Sequence, residues 1–169
     1  MTKELLHSGV LMGCLAGAGL LMSACGADGV EAGPPQVLPV QARWCLSDTP
    51  HRCIDLEVPS TPQQYSMGLQ QRPALPPLRG MWFNFSPPAM AKFWMHRTLA
   101  PLDLVFIADQ RILSIEANAP VCTKLPCPVY GPEVPVDGVV ELGAGEAERL
   151  GLKAGMPVQI RWLPQPATP

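Results

Sequence analysis

The densest run of chemically capable side chains lies between Lys92 and Asp103, where Trp94, Met95, His96, Thr98 and Asp103 share a stretch that reads as strand, tight corner and strand. Strand alternation places Phe93 and Met95 on one face and Lys92, Trp94 and His96 on the other. With Phe93 and Met95 in a core, Trp94 and His96 face outward or into a cleft. Asp103 begins the next strand beside this corner, and Arg72 ends the first helix. Three arrangements fit these residue types: a buried Arg72–Asp103 pair; the rim of a ligand cleft; and a corner where Asp103 and Thr98 satisfy backbone amides while Arg72 meets another carboxylate. Trp82 alternates away from Met81 and Phe83. It can pair with Trp94 as an aromatic platform for a sugar or other flat ligand, or cover the far side of a sandwich.

Other chemistries find less support. Met81, Met90, Met95 and His96 cluster in sequence, and soft ligands of this kind serve exported copper proteins. Met95 and His96 project oppositely, however, and methionine is a common core filler. No metal and no cofactor are therefore assigned. No serine stands in a nucleophile-elbow motif. His51 and His96 are the only histidines beyond the N-terminal segment, and His51 sits beside Pro50 in a solvated loop. Hydrolysis by two acids such as Asp103 and Glu141 depends on a separation that sequence does not give. Glu141, within Val139-Val140-Glu141-Leu142, reads as the solvent side of a strand.

The chain has 169 residues, with 12 Lys+Arg against 14 Asp+Glu and a formal net charge of -2. That balance excludes a phosphate-tracking nucleic-acid binder, which carries a basic excess. Residues 1–24 differ in kind from the rest. Lys3 supplies a positive start, and Leu5 to Met22 is apolar and small apart from His7 and Ser8, as in a secretory signal. Leu21-Met22-Ser23-Ala24-Cys25 has the small residues before cysteine found in lipoprotein signals, making Cys25 the lipidated terminus. Leu11-Met12-Gly13-Cys14 resembles such a box but leaves a short segment before the cut. A retained transmembrane anchor is the competing reading. Residues 25–39, rich in Gly, Ala and Pro, read as a tether, 40–163 as a single β-rich domain and 164–169 as a tail. The expected location is extracytoplasmic, anchored to a bacterial membrane on the periplasmic side.

The elements follow from patterning. Ala42, Trp44 and Leu46 alternate with polar neighbours, as do Ile54, Leu56 and Val58, so two half-buried strands are implied. Pairing them antiparallel with Cys45 facing Cys53 sets Trp44 opposite Ile54 and Arg43 opposite Asp55. A Cys45–Cys53 bridge then needs no rearrangement, and Cys122–Cys127 follows as a local clasp; a metal site at Cys122 and Cys127 is the sharper alternative. Thr61 and Pro62 start a short helix running to about Leu69, with Gln63 closing a capping box on Ser60. Further strands fall at about 81–85, 92–96, 104–108, 111–117, 139–142 and 158–163. Asp109-Gln110 marks a tight hairpin, and 145–150 a short helix ended by Gly151. Trp162, alternating with Val158 and Ile160, is assigned to the core. The expectation is a mainly β domain of about eight strands and two short helices, a small barrel or jelly-roll-like sandwich.

The run Phe93 to Phe106 resembles the central signature of the domain of unknown function 192 family of bacteria and archaea. Gly68-Leu69 with Arg72, Gly80-Met81-Trp82-Phe83, Pro120 with Cys122 and Cys127, and Val140-Glu141-Leu142 with Ala144-Gly145 are similar to its other segments. The resemblance spans about residues 40–163. Gln70 stands where the family has Met, and His96-Arg97 where it has Lys-Asn, so no family role carries over to those side chains. The resemblance implies a compact, mainly β, often exported fold, and no known reaction.

Three function classes remain. The first is non-catalytic binding of a small molecule or envelope partner, with Arg72, Trp82, Trp94, His96, Thr98 and Asp103 as ligand-binding candidates. The second is an envelope hydrolase using Asp103 with Arg72 or His96. The third is a structural envelope-assembly factor.

Overall fold

A computed structural model of the chain describes residues 34–46 and 52–164. The signal, Cys14, Cys25 and His51 lie outside the described residues. The first hairpin forms as its alternation requires. β1 (Val40–Cys45) and β2 (Cys53–Glu57) run antiparallel with Arg43 opposite Asp55, Trp44 opposite Ile54 and Cys45 opposite Cys53. Arg43 and Asp55 pair at 2.7 Å on the exposed face. Cys45 is bridged to Cys53, and Cys122 to Cys127. Two such bridges belong to an oxidising, extracytoplasmic compartment.

The helix α1 (Pro62–Met67) starts where expected, with Thr61 as its cap. Its box partner is Gln64 rather than Gln63: the Gln64 side chain accepts from the Ser60 and Thr61 amides. The third position of the first turn, not the second, points back at the cap. The helix ends at Met67 because Gly68 turns the chain with φ +50° and ψ −134°, a conformation that side chains other than glycine resist. Gln36 and Leu38, compositionally part of the tether, are bonded to the domain: Gln36 Nε2 donates to the Gln64 and Gly68 carbonyls, and the Leu38 amide to Glu57 Oε2.

The remaining elements are β3 (Arg79–Ala89), β4 (Phe93–Trp94), β5 (Leu102–Ala108), β6 (Arg111–Ala119), β7 (Val129–Tyr130), β8 (Val136–Gly143), α2 (Glu146–Leu150) and β9 (Ile160–Trp162). Seven strands form one sheet in the order β6-β5-β8-β3-β2-β1-β9, and β4 pairs with β7. The large sheet is mixed, because β3 runs parallel to β2 after a crossover through α1. Asp109 and Gln110 both take positive φ in the tight turn joining β5 to β6.

The class is mainly β with two short helices, as expected, but among the described residues the sheet is not a closed barrel. One isolated bridge, Arg111 with Pro157, spans the gap between its edges. β7 was not anticipated: a two-residue strand leaves too little alternation to read.

Alternation across the central strands divides the interior in two. Val105 and Ile107 of β5 and Val140 and Leu142 of β8 join Trp44, Ile54 and Leu56 inside the curl of the sheet, with Ala147 and Leu150 of α2. Leu104, Phe106 and Val139 point the other way and join Met81, Phe83 and Met95 beneath α1 and the β4 segment. β5 and β8 are covered on both sides; β5 accordingly reads as an almost unbroken apolar run, whereas β8 carries Asp137 and Glu141 among its apolar residues. Trp162 departs from the core assignment. Its strand lies at the sheet edge and its side chain is 55% exposed, resting on Trp82.

Candidate functional site

Glu57 of β2 stands opposite Met81 of β3, and Met81 opposite Glu141 of β8, whose other neighbour is Leu104 of β5. Residues so paired share one face of a sheet. Met81 and Leu104 belong to the second core, so both carboxylates point into the layer beneath α1, roughly 10 Å apart by strand spacing.

Their environments differ sharply. Glu57 is 1% exposed and held by a two-pronged ion pair, Arg72 Nη1 to Oε2 at 2.8 Å and Nη2 to Oε1 at 3.0 Å. Arg79 Nε approaches Oε1 at 3.6 Å. The planar guanidinium matches the carboxylate edge to edge, the geometry that makes a buried pair tolerable. Glu141 Oε2 is buried without a hydrogen-bond partner. Burial pushes the Glu141 carboxyl up to about 8, and the Arg72 charge offsets this only in part.

A cleft of about 300 Å³ opens over Glu141. The end of α1 contributes Tyr65, Gly68 and Leu69, β3 contributes Phe83 and Phe85, and the segment before the corner contributes Met90, Phe93 and Trp94. The rings support one another: Phe83 meets Phe93 edge to face at 4.9 Å, and Tyr65 meets Phe83 at 5.8 Å. The Tyr65 hydroxyl is already used, donating to the Asn84 carbonyl at 2.6 Å. Lys92 also lines the wall, but its ammonium is held by Glu133 at 2.6 Å and reaches the Gly131 and Pro132 carbonyls. A recess that joins several rings to polar side chains, with a buried acceptor lacking a partner on its wall, has the make-up of a small-molecule site.

Of the six expected ligand residues, the structure brings Trp94 and Thr98 to this cleft. Trp94 is 48% exposed and rests against His96, ring centres 5.1 Å apart, so both occupy the outer face that alternation assigned them. Thr98 Oγ1 also donates to the Met95 carbonyl at 2.8 Å, tying the corner together. Arg72 does not line this cleft and is committed to Glu57. Trp82 pairs with Trp162 rather than Trp94 and lies in the other core layer.

Asp103 is fully buried on the face opposite Glu141. Its Oδ1 accepts from the Asn118 and Gly145 amides and its Oδ2 from the Ala147 amide. It therefore anchors the start of α2, and neither an Arg72–Asp103 pair nor a hydrolytic set of Asp103 with Arg72 or His96 is assembled. Met81 and Met95 are core side chains, and among the described residues no cluster of His, Cys, Asp and Glu has the form of a metal site.

Glu141 departs from the solvent side expected of it and is buried. A single carboxylate in an apolar strand reads as solvent-facing unless both faces of the strand are known to be covered. The local sequence carries no such signal, since Asp137 and Glu141 both fall between Val136 and Leu142.

The segments carrying the family resemblance converge here: Gly68-Leu69, Phe83, Phe93-Trp94, Thr98 and Glu141 all line the cleft. The DUF192 family model, described as "Uncharacterized ACR", matches residues 45–160. The chain belongs to this family. No curated protein matches it. Among solved structures it is similar to a protein of unknown function from Novosphingobium aromaticivorans, at 30% identity and TM-score 0.60, covering 79% of this chain and 96% of that one. It is also similar to a "putative transcription regulator" from Sinorhizobium meliloti, at 30% identity and TM-score 0.59, covering 72% of this chain and 92% of that one. The family and these relatives assign no reaction to the cleft.

Proposed function

We propose that this domain binds a small molecule in the cleft over Glu141 and does not convert it, acting outside the cytoplasm on a chain tethered to the membrane through Cys25. The observation that carries the binding reading is Glu141 Oε2, a buried oxygen without a partner on the wall of a ring-lined cleft. Leaving such an atom unpaired costs on the order of 1–3 kcal/mol, which a ligand group can recover. The two disulfides support the compartment, and the signal-like residues 1–24 support the tether. Regulation of transcription, named for the Sinorhizobium protein, finds no support in a chain of net charge -2.

Native mass spectrometry of the protein purified from an oxidising compartment, set beside its denatured mass, tests the reading. The expected result is a non-covalent excess mass that disappears in Glu141→Gln. An excess retained by that variant would move the ligand elsewhere, and a bare native mass would reject a tightly held ligand. A structural envelope-assembly role would instead appear as one dominant protein partner on crosslinking in cells.

A further inference from the structure

We infer that the ligand of this cleft is a small organic cation, an alkyl or aryl-alkyl ammonium whose N–H groups meet Glu141 Oε2 while its carbon body lies among Tyr65, Phe83, Phe85, Phe93 and Trp94. This rests on the binding reading above and names the ligand class of the same site. Three observations lead to it. First, the unpartnered atom is an acceptor when ionised, so its missing complement is a donor. Second, five aromatic side chains line the recess, and ring faces attract cations, most strongly when desolvated. Third, the positive groups nearby are already committed, Arg72 to Glu57 and Lys92 to Glu133, so the place for a cation bonded to this carboxyl is open to a ligand.

Proton linkage follows. The ionisable groups facing Glu141 are Tyr65 from α1, Arg72 from the turn after it and Lys92 from the segment before β4, whereas β3 and β5 set apolar Met81 and Leu104 beside it. Without a ligand the carboxyl holds its proton up to about pH 8. An ammonium ligand stabilises the carboxylate, so on binding at neutral pH the O–H bond breaks and the proton passes to solvent. Affinity then rises about tenfold per pH unit up to that point, while a primary amine, like lysine, stays charged to about pH 10.

Calorimetric titration with phenethylamine and with its neutral counterpart phenethyl alcohol, and likewise with hexylamine and hexanol, tests the inference on the intact protein. At about pH 8.5 each amine should bind at least about tenfold tighter than its alcohol, and at about pH 6.5 one proton should be released per amine bound. Glu141→Gln should abolish the preference for the amine. Trp94→Ala, which alters an exposed ring and leaves the core intact, should weaken both amines. Equal binding of amine and alcohol would overturn the cation assignment while leaving the cleft a binding site. An amine preference that survives Glu141→Gln would overturn it too. If neither amine binds, the inference fails, and the native mass measurement alone decides whether the cleft holds another ligand.

Discussion

Glu57 and Glu141 occupy one cross-strand row with Met81 between them, yet only Glu57 has a counter-ion bonded to it. Arg72 emerges from the turn after α1 and closes both prongs on Glu57. Glu141 feels the same guanidinium only through space. The row thus holds one satisfied carboxylate, which fastens α1 and the residue Leu38 to the sheet, and one unsatisfied carboxyl, which faces the cleft.

Removing Arg72 should be costly because it strands a buried charge. Arg72→Met is expected to lose about 3–5 kcal/mol in denaturant unfolding, whereas the double change Glu57→Leu with Arg72→Met should recover most of that loss. A double variant as unstable as the single one would mean that Arg72 acts mainly through packing.

Glu141 should make stability fall with rising pH. Its folded value lies near 8, above the ordinary 4.5. Between those values the folded chain keeps a proton that the unfolded chain has released, so stability is full below about pH 4.5 and declines up to about pH 8, at most on the order of 1 kcal/mol per pH unit. Glu141→Gln should lack this component. Unfolding curves for both proteins across that window should diverge, the variant becoming the more stable toward pH 8.

Asp103 carries a structural load that is separable from binding. Asp103→Ala leaves the Asn118, Gly145 and Ala147 amides without their acceptor, an expected loss of about 2–4 kcal/mol. Asp103→Asn, which keeps one oxygen, should fall between. Ligand affinity measured on the folded fraction should remain unchanged in both, since the side chain points away from the cleft.

Gly68 stands over the floor of the cleft. A Cβ added there would lie 3.4 Å from Phe83 Cζ and 3.7 Å from Glu141 Oε2, on a backbone of φ +50°. Gly68→Ala is expected to cost about 1–3 kcal/mol through the backbone alone. It should also weaken any cleft ligand, read as a lower affinity at a temperature where the variant is fully folded.

The fold was legible where patterning is local. The Cys45–Cys53 register, the Thr61 cap and the Asp109-Gln110 turn each follow from a few adjacent residues. The two-residue strand β7, and its pairing with the expected strand β4, were not, because that pairing is decided by what covers the sheet. The site was legible only in part. Trp94 and Thr98 could be named because strand alternation turned Trp94 outward and Thr98 sat at the corner beside it. Asp103 meets backbone amides and Arg72 another carboxylate, one of the three arrangements their residue types allow, whereas Glu141 departs from its expected solvent side: which carboxylate meets amides and which meets a cleft depends on whether α2 or α1 lies over its face. That choice is made by tertiary packing, not by the strand that carries the residue. Arg72 likewise needed the parallel β2–β3 crossover before Glu57 could become its partner.

Carboxyl-carbon NMR of Glu141, assigned by its loss in Glu141→Gln and followed as a function of pH in the ligand-free protein, tests the central claim most directly. An unpaired, buried carboxyl at the cleft floor should titrate with a midpoint near 8. A midpoint near the ordinary 4.5 would mean that the group is solvated or paired, and the cleft would lose the unsatisfied atom on which the binding reading rests.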